Sequence, residues 1–505
     1  MQEPRILERF AGHYMKYLPS KLLPALTGFI SLPILTRLFT PTEYGNWALV
    51  TGISDLLFAF AISGLGSIPV RHLPAYEARS ELRTFFATLG VCIGGVVLAV
   101  GALSFVALLL MEANLDPNLY HLLLVSILIF MAQSIFAACL EIVRSQERSS
   151  LFTAFELINR YGSLGLGLFL VVVFGLRIEG LLWGTTLILA LAILPLLLLT
   201  TRGISIHLRD FRWADARRML RYAAPLSVGN FAMWGLRLSD RYIIGHFWSS
   251  REVGLYSVAY NLSDKSINML VMVFVLSMFP VVMNTWERNG RRACEDAMRM
   301  ITRVYTLVCL PAVVGISLLA HPLLSLFTTG PFVEGYRVVP YVAGSAFLYG
   351  LWLFAIVGSL VGQETGRIAI GQIAAALISI GLNLTLIPTF GFVAAGGTSV
   401  LGFVFLLLIQ TSFSRRHITW RFPLRSLRNS SIAVLCMGLA VWATRLLLAG
   451  STTQPVLLLV VSVLGGIPVY LICVILLGEA DERERTVMKR AFDSLVRHAR
   501  LGLER

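Results

Sequence analysis

Asn230, Trp234, Arg237 and Arg241 fall at steps of four, three and four, so on a helix they share one face. Two arginines on such a face point to anion chemistry: the guanidinium fork matches phosphate or carboxylate oxygens and stays charged at any relevant pH. Asp240 lies three residues from Arg237 and can pair with it, which leaves Arg241 the more available of the two. Two carboxylates join this set. Asp55 and Asp264 occupy matching places in two copies of a repeated segment, and Lys265 follows the second. Such an aspartate can titrate or bind a cation during a cycle, or it can pair with a base and hold neighbouring helices. Ser257, Asn261, Asp264 and Asn268 lie near one helix face, a polar stripe that turns towards something other than lipid. Glu156 and Arg160 are four apart in the order that favours a helical ion pair, and Asn159 adds an amide beside that cation.

The segments that must position these groups are apolar. Of 505 residues 56% are hydrophobic and only 14% charged, far from the balance of a soluble domain. A span needs roughly 20 apolar residues, and the chain offers about fourteen such runs. We place them at 16–38, 44–69, 85–111, 119–143, 151–175, 178–200, 221–246, 254–283, 300–326, 337–361, 367–388, 391–413, 429–449 and 455–477. The eighth has the least certain boundary, because Asp264 and Lys265 interrupt it. The runs are continuous and do not alternate as barrel strands do. A charge at bilayer depth costs from ~3 to more than 10 kcal/mol, so each intramembrane charge either pairs or faces water. For the arginine stripe the alternatives are a wet cavity wall, a structural Asp–Arg pair, or snorkelling to the interface. Arg37, Glu141, Arg303 and Arg445 lie near span ends, where an interfacial role is adequate.

Positive residues orient the chain. Arginine-rich loops (Arg71, Arg79 and Arg83; Arg144 and Arg148; Arg288, Arg291, Arg292 and Arg299; Arg415 to Arg428) alternate with loops that carry little positive charge, such as the acidic 112–118. Both termini are therefore expected in the cytoplasm. The net charge of +14 is on this reading a topology signal, and no nucleic-acid motif accompanies it. The six cysteines lack metal or disulfide spacing and read as small apolar fillers, with Cys294 in a cytoplasmic loop. The first span is too long for a signal-peptide core and reads as a retained helix.

The first copy of the repeat, residues 40–55, is TPTEYGNWALVTGISD; about 209 residues later, 249–264 reads SSREVGLYSVAYNLSD. They share Glu43/Glu252, Gly45/Gly254, Ser54/Ser263 and Asp55/Asp264, with Trp47 matched by Tyr256. A second echo pairs Phe174-Gly175 and Gly180 with Phe390-Gly391 and Gly396. Duplication of this kind marks a transporter built from two related bundles with substrate handled between them. We divide the chain into a six-helix bundle (1–200), a basic cytoplasmic linker (201–220), a second six-helix bundle that repeats the first (221–413), two additional spans (414–478) and a charged cytoplasmic tail (479–505). Pro24 and Pro33 interrupt the first span and Pro225 opens the seventh. Gly165, Gly167, Gly371, Gly381, Gly396 and Gly397 permit close helix approach.

LPILTRLFTPTEYGNWALV (32–50), LSDRYIIGHFWSSREVGLYSVAY (238–260) and LNLTLIPTFGFVAAGGTSVL (382–401) resemble the polysaccharide-transport branch of the multidrug/oligosaccharidyl-lipid/polysaccharide exporter superfamily, which holds the Wzx-type O-antigen and exopolysaccharide flippases. The resemblance runs from the first span through the twelfth. It implies an all-α polytopic membrane protein whose two pseudo-symmetric bundles form a V around a central cavity. It also implies translocation of an undecaprenyl-pyrophosphate-linked glycan across the bacterial inner membrane by alternating access, with a polymerase and co-polymerase as partners of a monomeric flippase. On that reading Arg237, Arg241 and Arg160, with Asn230 and Trp234, meet the lipid pyrophosphate, while Asp55, Asp264, Lys265 and Asp240 serve coupling or gating. No cofactor is called for.

Two relatives of this reading stay in play: the lipid II flippase branch, which shares the span count, and an ion-coupled exporter of small cationic drugs. A drug exporter should show carboxylates outweighing arginines, whereas arginine dominates the seventh span. A membrane polymerase or ligase needs a large outer loop to hold two sugars, and no outer loop here is long enough. We therefore expect a protein that is not an enzyme.

Overall fold

The computed structural model describes residues 27–479 apart from 115, 203, 206 and 449–454. The first part of the first expected span, with Pro24, and all but the first residue of the expected charged tail lie outside the described residues.

The described chain is helical, and its elements run in order as α1 (Thr27–Leu38), α2 (Pro41–Ala61), α3 (Ile68–Ala78), α4 (Leu82–Met111), α5 (Pro117–Ser145), α6 (Ser149–Phe174) and α7 (Arg177–Thr200). There follow α8 (Trp213–Phe247), α9 (Ser250–Leu318), α10 (Ala320–Phe327), α11 (Gly330–Val361), α12 (Thr365–Phe390), α13 (Phe392–Ser414), α14 (Leu424–Leu448) and α15 (Pro455–Leu476). Ten helices among the described residues are long and apolar enough to cross a membrane, or eleven if α2 and α3, bent by 57°, count as one span. This is a multi-pass membrane protein. The helix α8, which carries the arginine stripe, is not among the ten; its polar residues hold its apolarity below that of its neighbours.

Two expectations change. The runs at 254–283 and 300–326 are joined by helical residues and not by a loop: α9 is two helices that meet at a kink at Gly290, where φ is 76° and ψ −168°. Only glycine adopts that backbone readily. Charged residues after the break keep the segment helical, as the Arg291–Glu295 pair at 2.8 Å illustrates. Cys294, placed in a loop by its charged neighbours, is instead helical and wholly buried, with Val282 and Met298 in the same core cluster. Likewise Pro225 does not open its helix, because α8 starts earlier, at Trp213.

The duplicated segment explains itself in space. Each copy begins a helix with the same device: Thr40 and Glu43 form a reciprocal capping box at α2, and the Ser249 hydroxyl donates to Glu252 at α9. The two helix starts then cross at their shared glycine. A Cβ on Gly45 would lie 1.8 Å from the Ser250 carbonyl oxygen, and one on Gly254 would lie 1.9 Å from that of Pro41. No side chain fits at either place. The second echo ends helices: Gly175 closes α6 at φ 68° and Gly391 closes α12 at φ 70°. Close approach also holds α6 to α7, where a Cβ on Gly184 would lie 2.4 Å from the Cα of Gly167. Gly165, Gly381 and Gly397, expected to do the same, have open space within 4 Å.

By contacts the chain forms two compact units, the first comprising residues up to Leu262 with Glu364–Leu406 and the second the remainder. In the first unit α8 packs along α12 and α2. Its core gathers Ile62, Leu65, Phe85, Leu89 and Phe130. The second unit centres on Tyr305, whose hydroxyl donates to the Phe347 carbonyl at 2.8 Å while its ring stacks on Phe347. Lipid tails are as apolar as these side chains, so such packing and interhelical hydrogen bonds carry the association.

Candidate functional site

The first unit places a set of charged and aromatic groups together where α2, α6, α8 and the first turns of α9 meet. Asp240 is 1% exposed, a carboxylate withdrawn into the interior of α8. One oxygen accepts the backbone N–H of Arg241 at 2.8 Å, and the other accepts the hydroxyl of Tyr256, itself fully buried. The Ser399 hydroxyl, on α13, lies beside it and donates to the Ala395 carbonyl of its own helix at 2.9 Å. A buried carboxylate persists only when its oxygens are satisfied in this way.

Arg241 is 8% exposed, and its guanidinium carbon lies 5.0 Å from the centre of the Tyr260 ring. That is cation–π geometry. Its Nε, however, is buried with no hydrogen-bond partner among the described residues. Across from it, Asp55 projects from α2 on an exposed surface. The Asp55 carboxylate feels the charges of both Arg160 and Arg241, and the Gln133 side chain of α5 lies beside it. Arg160 is itself exposed and pairs with Glu156 at 3.4 Å. A carboxylate and a guanidinium, each well inside an apolar helix yet accessible, face water and not lipid on energetic grounds.

Aromatic groups fix the frame. The Trp234 indole N–H donates to the Gly52 carbonyl at 3.2 Å, and the Tyr242 hydroxyl donates to the Leu49 carbonyl at 2.9 Å, so α8 is pinned to α2 on either side of the charged cluster. Gly52 is small by necessity: a Cβ there would sit 2.5 Å from the Tyr242 oxygen. Asn261 donates to the Tyr44 hydroxyl at 3.1 Å, which ties the two repeat copies together a second time. Residues Ile158–Gly162, which include Asn159 and Arg160, form a π turn inside α6. Such single-turn widenings mark functional sites often, because they re-aim the side chains they carry.

The model of the polysaccharide biosynthesis protein family matches residues 34–334, a stretch that takes in every group just described except Ser399. The chain belongs to that family. Among curated proteins, a probable low-salt glycan biosynthesis flippase, Agl15 of Haloferax volcanii, is 22% identical over 236 residues, or 46% of this chain. The chain spans about half the length of that relative, 50% of it. In fold, the lipid II flippase MurJ in an inward closed conformation superposes with a TM-score of 0.73 at 15% identity, covering 91% of this chain and 98% of that one. An inward-facing multidrug transporter of the MATE family gives 0.59 at 14% identity, covering 79% and 94%. The all-helical polytopic fold expected from the sequence is the fold found, with ten or eleven candidate spans among the described residues where about fourteen runs were expected, and family membership falls in the expected branch.

Within this family member the singled-out residues separate. Asp55, Arg160, Asp240 and Arg241 come together; Trp234 frames them; Arg237 is half-buried and Asn230 exposed along the same helix. Asp264 and Lys265 belong to the second unit. Tyr256, Tyr260, Gln133 and the π turn went unremarked in the sequence as parts of a site. Tyr256 and Tyr260, four apart at the start of a span, were the signal in the sequence from which an aromatic face opposite α8 could have been read.

Proposed function

We propose that this chain is a flippase for an undecaprenyl-pyrophosphate-linked oligosaccharide in a bacterial inner membrane, with both termini cytoplasmic, feeding O-antigen, capsule or exopolysaccharide synthesis. The observation that carries the reading is Arg241: a buried guanidinium with an unpartnered Nε, whose charge, like that of Arg160, reaches Asp55. A buried N–H without an acceptor costs about 1–3 kcal/mol, more for a charged group, and a phosphate oxygen relieves that cost. Family membership and the glycan flippase relative support the substrate class.

In the proposed cycle the pyrophosphate engages Arg241 and Arg160, with Arg237, Asn230 and Trp234 along the path. Asp55 is the resident counter-ion of the empty state. The incoming anion competes with it for the same cations, so Asp55 is released to take a proton or a metal cation. That exchange links substrate loading to an ion gradient. Asp240 positions the Arg241 backbone, and Asp264 with Lys265 serves gating in the second unit. The steps are binding, reorientation and release, with no covalent chemistry. A polymerase and co-polymerase would take the glycan on.

The test is flipping of a lipid-linked oligosaccharide by purified protein in liposomes, with and without a pH gradient. Arg241→Ala and Arg160→Ala are expected to lower the rate at least tenfold while the protein stays folded; a loss of about 1.4 kcal/mol per tenfold is what one charge-assisted hydrogen bond supplies. Wild-type protein that flips no lipid-linked glycan but expels a cationic dye would overturn the reading in favour of a multidrug exporter. Preference for a lipid-linked peptidoglycan precursor would move it to the lipid II class.

A further inference from the structure

In the second unit, α9, α14 and α15 enclose an almost entirely apolar groove of about 1060 Å³, lined by Val308, Gly315, Val441, Val463 and Ile467 among others. A second cavity, of about 360 Å³, is lined by Arg299, Arg303, Arg425, Ser426 and Asp296. Glu479 lines both, so the apolar space and the charged space adjoin.

The charges of the smaller cavity are not equivalent. Glu479 is 5% exposed and fully engaged: Ser426 donates at 2.8 Å, Asn429 at 2.9 Å, and Arg303 lies 3.3 Å away. That carboxylate neutralises Arg303 and fixes the end of α15 against the start of α14. Arg299 and Arg425 are exposed, and neither has a hydrogen bond or ion pair among the described residues. Among the described residues of the lining only Asp296 remains against them, which leaves the mouth cationic. An apolar groove on membrane-crossing helices with two unengaged arginines at one end matches an amphiphile with an anionic head.

We propose that α9, α14 and α15 hold an anionic phospholipid, its acyl chains in the apolar groove and its phosphate against Arg299 and Arg425. The occupant is a resident lipid and not the transported one, since the transported phosphates are assigned above to the arginines of the first unit. A zwitterionic lipid offers the same chains but carries a cation beside its phosphate, so it gains less from the two arginines.

Native mass spectrometry of the delipidated full-length protein tests this, with phosphatidylglycerol, phosphatidylcholine or a short isoprenyl phosphate added back. Wild type should retain one phosphatidylglycerol roughly tenfold more tightly than phosphatidylcholine, as two arginines near a phosphate predict. The Arg299→Ala/Arg425→Ala double variant should erase that preference, and Arg299→Lys/Arg425→Lys should keep most of it. Gly315 has open space where a Cβ would be, so Gly315→Phe should fill the groove and weaken both phospholipids. Equal retention of the two phospholipids by wild type overturns the proposal. So does a double variant that is folded and keeps the preference, or an isoprenyl phosphate that displaces phosphatidylglycerol in a manner sensitive to Gly315→Phe. If the alanine variants fail to fold, the wild-type comparison and the lysine variants still decide.

Discussion

At Arg241 a planar cation lies over the Tyr260 ring, and its neighbour Asp240 is held by the Tyr256 hydroxyl. These two contacts predict different phenotypes. Arg241→Lys keeps the charge but loses the planar fork and its stacking, so transport should fall nearly as far as in Arg241→Ala while melting temperature changes little; a flipping assay beside a thermal melt separates the two. Tyr256→Phe keeps the ring and removes one donor from a buried carboxylate. It should cost about 1–3 kcal/mol of stability, read as a lowered melting temperature, and Asp240→Asn in the same background should recover part of it. The sequence offered Arg237 as the partner of Asp240 because i,i+3 spacing is visible along one helix. Tyr256 lies on the next helix, across the turn at Trp248 and Ser249, so no period could reveal it. Gln133 was hidden for the same reason: it meets Asp55 only when α5 is laid beside α2.

Helices carry the next scale. The α2–α9 crossing leaves no room for a methyl group, so Gly45→Ala and Gly254→Ala should each cost roughly 3 kcal/mol or more, seen as loss of the monodisperse peak in detergent gel filtration. Gly165→Ala and Gly381→Ala meet open space and should be neutral, or stabilising by about 0.5–1 kcal/mol. Shared identity in the repeat distinguished the first pair from the second; composition alone did not. The π turn of α6 gives a sharper test. Deleting Asn159 lets α6 close as a regular helix and turns Arg160 away from Asp55, so protein should accumulate normally while transport drops at least tenfold. Full transport by the deletion variant would remove the turn from the mechanism.

For the whole molecule, the apolar runs located nearly every helix, since about 20 residues of uninterrupted hydrophobicity has few other uses. They left 284–299 as a loop, because a charged stretch between two spans reads so whether or not it is helical; the break itself, at Gly290, falls inside that interval. Orientation is open to direct measurement. A reporter active only outside the cytoplasm should be active when fused after Glu112 and silent after Glu147, and the reverse pattern would invert the proposed topology.

The Gly45–Gly254 crossing carries one more meaning. Ser250 meets Gly45 as Pro41 meets Gly254, so each partner presents the same surface to the other. Reciprocal contact of this form is how identical subunits join about a two-fold axis. A polypeptide of half this length, holding a single copy of the motif, has nothing within itself to cross; it completes the joint only by finding its twin. The gene's doubling thus placed on one strand an embrace that separate molecules would otherwise have had to make.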